Sequence, residues 1–471
     1  MRLNKKYCKI GGLAIAICAL TWLLVWWLMP KNYADVIPSQ AKAVVRIVPS
    51  ELTKSSLKDI NPLEQTLGIK ADGIDLNSPL YAFITPNEYI GFTAKVKDQD
   101  AITAQIDKLV KQKKCSPIEE IDGQQWVWIN AGWLATWTNN TLLVLGPGVA
   151  QERDVLRQTM TAMMHSDDSF TSTDKFNELK SLQGAMQLFA QLDALPTPYN
   201  LLFRLAIPPE CDPSAVHLFA TIKSENKGNT ANYTTIESNV TSDNEDIEQA
   251  IKTFEKHKSC ISFPEETLQS ASAPLFVLST CTQGKPLLQL LKTDATLRGL
   301  LMGLNQTFDA DKMLSSTNGL FSIEIDSLSK DFTPTYCMKA ETTADHLFDN
   351  ADYWIASAAK QKNVTLKRIS PLSFMLKNEH QQLNFGYHTA NAALYFASSS
   401  MLAKASQPFL AQKTNDKEGL LVYFHLNLAK LFQQPCFKNN STSNLIQMLL
   451  PGSKQITYKA YTGGKSILKI E

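Results

Sequence analysis

The sequence lacks an excess of charge of either sign. Its 471 residues include 46 Lys and Arg against 45 Asp and Glu, which leaves a formal net charge of +1. This balance excludes a globally basic nucleic-acid binder and a polyacidic tail protein. Glycine (20) and proline (21) are ordinary in number, which excludes collagen-like and low-complexity chains. With 44% hydrophobic residues, the chain is long enough for two or three packed domains.

Motifs for familiar chemistry are also missing. None of the histidines has HExxH or similar metal-binding spacing, and no G-x-S-x-G string occurs. Two S-x-x-K strings, at residues 55–58 and 327–330, lack the K-T-G element of serine acyl-transfer enzymes. The string Gly463-Gly464-Lys465-Ser466 lacks the first glycine of a phosphate loop and suits a hairpin turn. We therefore expect no metal and no cofactor. A binding protein is favoured over an enzyme, with a hydrolase or transferase site between the two halves as the alternative.

Paired cysteine motifs are absent as well. Six cysteines follow residue 30 without a C-x-x-C pair, which disfavours zinc ribbons and thioredoxin-like chemistry. An oxidising compartment would permit disulfides among these six. Cys211 and Cys260 flank a strand-rich segment and are the predicted disulfide pair, with buried free thiols as the alternative.

One long apolar run stands near the start of the chain. Residues 10–29, IGGLAIAICALTWLLVWWLM, form a run of 20 residues without a charge, which as a helix would cross a bilayer. Four basic residues precede the run, so the positive-inside rule places residues 1–9 in the cytoplasm and the rest of the chain outside. A cleaved signal peptide is the alternative, but its apolar core would be shorter. The prediction is a single-pass protein anchored in the membrane through residues 10–29.

The segment beyond the anchor repeats one series of patterns. AVVRIV (43–48) and PLFVLS (274–279) each open a series that continues with a strand pair, a helix, further strands and a closing hairpin. In DAITAQIDKLV, Ile102, Ile106 and Leu109 fall on one face of a helix. The predicted fold class is α+β: an N-terminal transmembrane helix, then a duplicated unit of antiparallel sheet covered by helices. The predicted units are residues 35–258 and 274–471, joined by a linker at 259–273.

Four tryptophans lie close together in QQWVWINAGWLATWTNN. Trp126 and Trp128 fall on one face of a predicted strand, and Trp133 and Trp137 follow a predicted turn. An exposed aromatic ladder would bind a glycan or a protein partner. The favoured interpretation is that helices cover this face and the rings belong to the core, with one or two rings reaching the surface. The second predicted unit has no tryptophan in the corresponding region, which adds some support to the binding interpretation.

The residues that follow the apolar run form a recognisable opening. Val36-Ile37-Pro38, Ala41, Val44 and Ile47 fit the pattern V-I-P-x-x-A-x-x-V-x-x-I, and the later phrases GIDLNSPLYAFI and LLVLGP are in keeping with it. Together they resemble an uncharacterised family of bacterial cell-envelope proteins, common in Bacteroidota, that are lipoproteins or membrane-anchored ectodomains. The family is a domain of unknown function, so the resemblance implies no catalytic residue.

The resemblance implies a place in the cell, whereas the anchor, the duplication and the missing catalytic motifs indicate a class of function. It implies a bacterial inner-membrane protein with a cytoplasmic N-terminus and a periplasmic ectodomain. The bulky Ile17 before Cys18 gives no lipobox, which favours a helical anchor over a lipid one. The expected function is non-enzymatic binding or envelope scaffolding. The expected partner is an envelope protein or a glycan, and no nucleic acid.

Overall fold

The computed structural model describes most of the chain beyond residue 31. The described residues are 32–52, 72–129, 132–195, 197–208, 210–225, 233–257, 260–270, 273–343, 346–379, 382–414, 419–438, 447 and 452–471. The predicted tail (1–9) and membrane anchor (10–29) lie outside them. The described residues group into two compact units. Unit 1 takes those of Met1–Pro49 and Ile60–Glu178, and unit 2 takes those of Ser50–Asp59 and Leu179–Glu471.

Unit 1 is built on antiparallel strands. Within its described part the strands are Ala43–Ile47 (β1), Leu80–Ile84 (β2), Ile90–Lys95 (β3), Glu119–Ile121 (β4), Gln124–Ile129 (β5), Trp133–Trp137 (β6) and Thr141–Gly146 (β7). They pair in the order β1-β2-β3-β7-β6-β5-β4. The helices are Gln99–Lys111 (α1) and Arg153–His165 (α2). The helix Asp174–Ser181 (α3) and the single helical turn Pro49–Leu52 each extend past a limit of unit 1.

The sequence explains where α1 begins and which face it buries. The Asp98 side chain accepts hydrogen bonds from the backbone N–H groups of Asp100 and Ala101, which caps the helix start. Ile102, Ile106 and Leu109 are all buried, as their spacing predicts. The predicted helix over this segment is therefore confirmed, and its buried face closes the core of unit 1.

Unit 2 holds the longer set of strands. Its described strands are Met186–Gln191 (β8), His217–Glu225 (β9), Tyr233–Thr241 (β10), Cys260–Ser262 (β11), Phe276–Gln283 (β12), Thr317–Leu328 (β13), Pro334–Thr342 (β14), Thr365–Ser370 (β15), Ser373–Lys377 (β16), Gln382–His388 (β17), Ala393–Ser398 (β18), Gln412–Thr414 (β19), Leu420–Asn427 (β20), Gln455–Tyr461 (β21) and Lys465–Ile470 (β22). The described helices are Thr197–Arg204 (α4), Glu245–His257 (α5), Gly284–Thr293 (α6), Ala295–Asn305 (α7), Ala310–Ser315 (α8), Ala351–Ala358 (α9), Leu402–Ala405 (α10) and Leu428–Phe432 (α11).

The strands of unit 2 form one long antiparallel series. Their order is β15-β16-β17-β18-β14-β13-β12-β20-β21-β22-β10-β9-β8. Strand β11 pairs with β19 and β20. From β12 to β18 the order of pairing matches that of β1 to β7 in unit 1. The predicted domain boundaries themselves stay a prediction.

The predicted fold class, α+β with a duplicated sheet covered by helices, is wrong, whereas the predicted transmembrane helix lies outside the described residues. The described chain instead forms 22 antiparallel strands with few helices. No helix among the described residues is both long and apolar enough to span a membrane. The physical reason for the error is that helical spacing is a local signal, whereas strand pairing depends on distant partners. Strand β12, for example, pairs with β20, and the two are separated by well over a hundred residues.

Candidate ligand-binding cavity

A cavity of about 370 Å³ lies inside unit 2, between the sheet and three helices. Its floor is a row of apolar side chains directly opposite one another on β12, β13, β14 and β18: Leu278, Ile323, Met338 and Phe396. Because paired residues project to the same face of a sheet, this row presents one continuous apolar surface. The sheet therefore gives the cavity a flat and rigid floor.

Helices α6, α7 and α8 form the cover of the cavity. Leu287, Leu290 and Leu291 of α6 line it, and so do Leu297, Leu301 and Leu304 of α7 and Ala310 and Leu314 of α8. On α7 the lining positions follow the spacing i, i+4 and i+7, so one stripe of that helix faces inward. The remaining lining residues are Leu205, Phe276, Phe321, Tyr336 and Leu383.

An aromatic stack makes one wall of the cavity stiff. The ring centres of Phe308 and Phe385 are 4.4 Å apart, and those of Phe385 and Phe396 are 5.9 Å apart. Phe396 belongs both to this stack and to the cavity floor. Rings packed in this way have little freedom to move into the void, so the cavity is held open by the core around it.

The cavity is almost devoid of polar groups. Among its described lining side chains, Tyr336 alone carries an O–H group. Burial raises the pKa of that phenol above its ordinary value, so the hydroxyl stays protonated at physiological pH. A void lined in this way gives water few hydrogen-bond partners, and apolar cavities of this kind bind apolar molecules. Its volume falls within the range of about 300–1,000 Å³ of small-molecule sites.

The structure divides the four predicted binding tryptophans between the two faces of one sheet. Trp133 and Trp137 share a face with Val127 and belong to the core beneath α1. The indole N–H of Trp137 donates a hydrogen bond to the Thr103 hydroxyl at 3.0 Å. Both rings are buried, at 7% and 1% exposure. These two tryptophans therefore pack as core.

Trp126 and Trp128 project from the other face of β5, and they differ in burial. Trp128 is half-buried, whereas Trp126 is only 2% exposed. Trp126 nevertheless lines a cleft of about 620 Å³ in unit 1, between the β4–β5 hairpin and α2. Polar side chains supply most of the other walls: Asp122, Gln124, Arg157, Gln158, Thr161 and His165. A ligand-binding role for the tryptophans stays a prediction, and Trp126 is the one that the cleft favours.

One family model matches most of the chain. It is described as a domain of unknown function, DUF4836, and it matches residues 68–448. The chain belongs to the DUF4836 family. This agrees with the expectation of an uncharacterised family, while the Bacteroidota origin and the opening pattern at residues 36–47 stay predictions. The match includes parts of both units and all of the residues that line the apolar cavity.

Two solved structures show weak similarity to parts of the chain. They are crystal forms III and IV of a protein named TP0453, each 11% identical to this chain. Form III has a TM-score of 0.31 and covers 50% of this chain and 90% of TP0453. Form IV has a TM-score of 0.29 and covers 44% and 80%. No curated protein matches the chain.

Cys211 and Cys260, the predicted disulfide pair, lie in different apolar clusters of unit 2. Cys211 belongs to the cluster that contains Val216, and Cys260 belongs to the cluster that contains Leu278. Both side chains are buried. The disulfide stays a prediction. In the described part of the chain, no three His, Cys, Asp or Glu side chains are placed to hold a metal ion.

A buried charged cluster lies on the opposite face of the same sheet from the cavity. Glu324 pairs in register with Cys337, next to the pair formed by Ser322 and Lys339. The Glu324 carboxylate accepts a hydrogen bond from Lys404 at 2.9 Å. The Lys339 ammonium donates to the carbonyl oxygens of Gln407 and Pro408, at 3.2 and 2.9 Å. Burial lowers the pKa of Lys339, and the negative charge of Glu324 opposes that shift.

Proposed function

We propose that this DUF4836 protein is a membrane-anchored, extracytoplasmic binding protein whose unit 2 takes up an apolar ligand. The observation that carries the proposal is the cavity of about 370 Å³, whose described lining side chains are apolar apart from one tyrosine hydroxyl. A long acyl chain is the ligand class with the matching chemistry, because it gains the contacts that an empty apolar void lacks. A hydrolase or transferase would need several titratable groups at such a site.

The anchor and the compartment belong to the same proposal and rest on the sequence. Residues 10–29 would cross the bacterial inner membrane, and residues 1–9 would lie in the cytoplasm. The ectodomain would then face the periplasm, next to a source of acyl chains. We expect protease added to spheroplasts to digest the ectodomain, as detected with an antibody against unit 2. Full protection until the membrane is lysed would contradict this topology.

Blocking the cavity should abolish uptake of an acyl chain. We expect Leu291→Trp to reduce the radiolabelled palmitate retained by the purified full-length protein at least about tenfold, because the indole would fill space that the ligand needs. The matched control is Leu402→Trp, a leucine that is 39% exposed and does not line the cavity. The control should retain palmitate like the wild type. Equal retention by both variants would contradict the proposed site, provided that both melt at the wild-type temperature.

A glycan is the second candidate ligand, and the cleft beside Trp126 favours it. Amide, hydroxyl, guanidinium and carboxylate groups beside an indole are the groups that proteins use to bind sugars. The palmitate experiment separates the two candidates when soluble cell-wall oligosaccharides are titrated in parallel. Saturable oligosaccharide binding without palmitate binding would favour the cleft of unit 1.

A further inference from the structure

We propose that α7 is a lid over the apolar cavity and that it opens by unwinding at Gly299 and Gly303. This inference rests on the proposed function, because it concerns how a ligand reaches the cavity. Helix α7 is placed to serve as a lid: it packs mainly on α6 and α8. Its inner stripe of Leu297, Leu301 and Leu304 lines the cavity.

The outer face of α7 carries two glycines that packing does not require. A Cβ atom built at Gly299 or at Gly303 would meet no other atom within 4 Å. Gly284, in the first turn of α6, is different, because a Cβ there would collide with the carbonyl oxygen of Leu314. Glycine in a helix interior weakens the helix, since it loses more backbone freedom on folding than alanine does. The two glycines therefore lower the stability of α7, and no close contact with another part of the chain requires them.

Side-chain hydrogen bonds hold both ends of α7 in place. At its start, the Asp294 side chain accepts a hydrogen bond from the backbone N–H of Leu297 at 2.9 Å. At its end, Asn305 and Asp311 exchange two hydrogen bonds, of 2.8 and 3.0 Å, and Asp311 also pairs with Lys292 of α6. A helix fixed at both ends does not swing out as a rigid rod. The weak part is the middle, where Gly299 and Gly303 stand one turn apart.

The side chains around the glycines suit a segment that opens and closes. Met302 is 63% exposed although it is apolar, and Arg298 is the only charged residue of α7. Unwinding the central turn would displace Leu301 from the cavity lining while the two ends stay bound. The exposed backbone N–H and C=O groups of that turn would then bond to water. Opening of this kind is a local unfolding event, which proteins use at binding sites.

The double variant G299A/G303A tests the lid. Alanine stabilises the closed helix, so the open population should fall by about four- to fivefold for each glycine and by about 20-fold for the pair. We expect bound radiolabelled palmitate to leave the full-length variant about 20-fold more slowly into excess unlabelled palmitate, because release requires the open state. The equilibrium affinity should stay within about twofold, since the closed, ligand-bound state is unchanged.

The control is Gln249→Ala on the exposed side of α5, which also raises helix propensity within unit 2. Its release rate should equal that of the wild type. Release of palmitate from G299A/G303A at the wild-type rate would overturn the proposal that α7 is a lid.

If the wild type takes up no palmitate, the proposed function fails, and hydrogen exchange then tests the lid by itself. We expect the backbone amides in the middle of α7 to exchange faster than those of α6. In G299A/G303A the exchange of these α7 amides should be about 20-fold slower than in the wild type. Equal exchange in variant and wild type would overturn the lid in that case too.

Discussion

Replacing Trp126 by alanine is expected to cost about 3–5 kcal/mol of unfolding free energy, the range for removing a large buried ring. The ring is 2% exposed in the structure, so its removal takes away the packing contacts of a large buried side chain. Trp128→Ala is the matched control, because Trp128 lies on the same strand and the same face but is only half-buried. It should cost clearly less. Thermal unfolding of the purified protein, followed by circular dichroism, measures both losses.

The same pair of variants also separates packing from recognition. If Trp126→Ala melted like the wild type, the indole would contribute nothing to the core, and its place in the cleft would have to serve a ligand. If Trp126→Ala and Trp128→Ala lost the same unfolding free energy, the different burial of the two rings would not determine the cost of removing them. We expect neither result, because the cost of truncation follows the volume that is left empty.

The division of the tryptophans shows what the sequence could and could not predict. Alternation along β5 correctly placed Trp126 and Trp128 on one face. The face taken by Trp133 and Trp137 depends on the register between β5 and β6, in which Trp133 pairs with Ile129. A shift of one residue would have exchanged the faces of all the β6 side chains. The register between two strands is fixed by the turn and the core together. The residue pattern of each strand alone does not determine it.

Local signals were reliable where an element depends on its own residues. The spacing of Ile102, Ile106 and Leu109 gave the position of α1. The apolar segment AVVRIV likewise matches β1, Ala43–Ile47. The fold class failed because it depends on how 22 strands pair over long distances. Sequence signals of helix and strand do not state which strand lies beside which.

The cavity could not have been predicted from the sequence. Leucines repeat through α6 and α7 at helical spacing, and the same spacing is typical of a filled core. Whether such leucines meet side chains or an empty space depends on the shape of the sheet below them. One signal was present, however: two glycines inside an otherwise strong helical segment, GLLMG, lower the stability of that helix.

The second large effect is expected at Glu324. Its side chain is 4% exposed and pairs with Lys404. On the same sheet face lies Lys339, which is 1% exposed. Glu324→Ala would leave the Lys339 ammonium buried without a nearby carboxylate. Removing one member of a buried charged group costs about 3–5 kcal/mol. The control is Glu237→Ala. Glu237 forms an ion pair with Lys223, with 2.5 Å between the Lys223 Nζ and the Glu237 Oε2, but its side chain is 46% exposed and that of Lys223 is 40% exposed. An exposed pair contributes about 1 kcal/mol or less.

The pH dependence of the Glu324→Ala loss identifies its cause. Burial already lowers the pKa of Lys339, and without Glu324 that pKa falls further. Between the lowered folded pKa and the ordinary value of about 10.4, the unfolded chain binds more protons than the folded chain, so stability rises with pH. Cys337 has the opposite effect, because burial raises its pKa to about 11; the Glu324 charge adds to that rise, so the effect is smaller in the variant, which also narrows the difference between the two proteins as pH rises. The difference in unfolding free energy between the two proteins should therefore shrink as pH rises toward 10. A difference that stayed constant with pH would mean that Glu324 acts through packing alone, and that Lys339 does not depend on its charge.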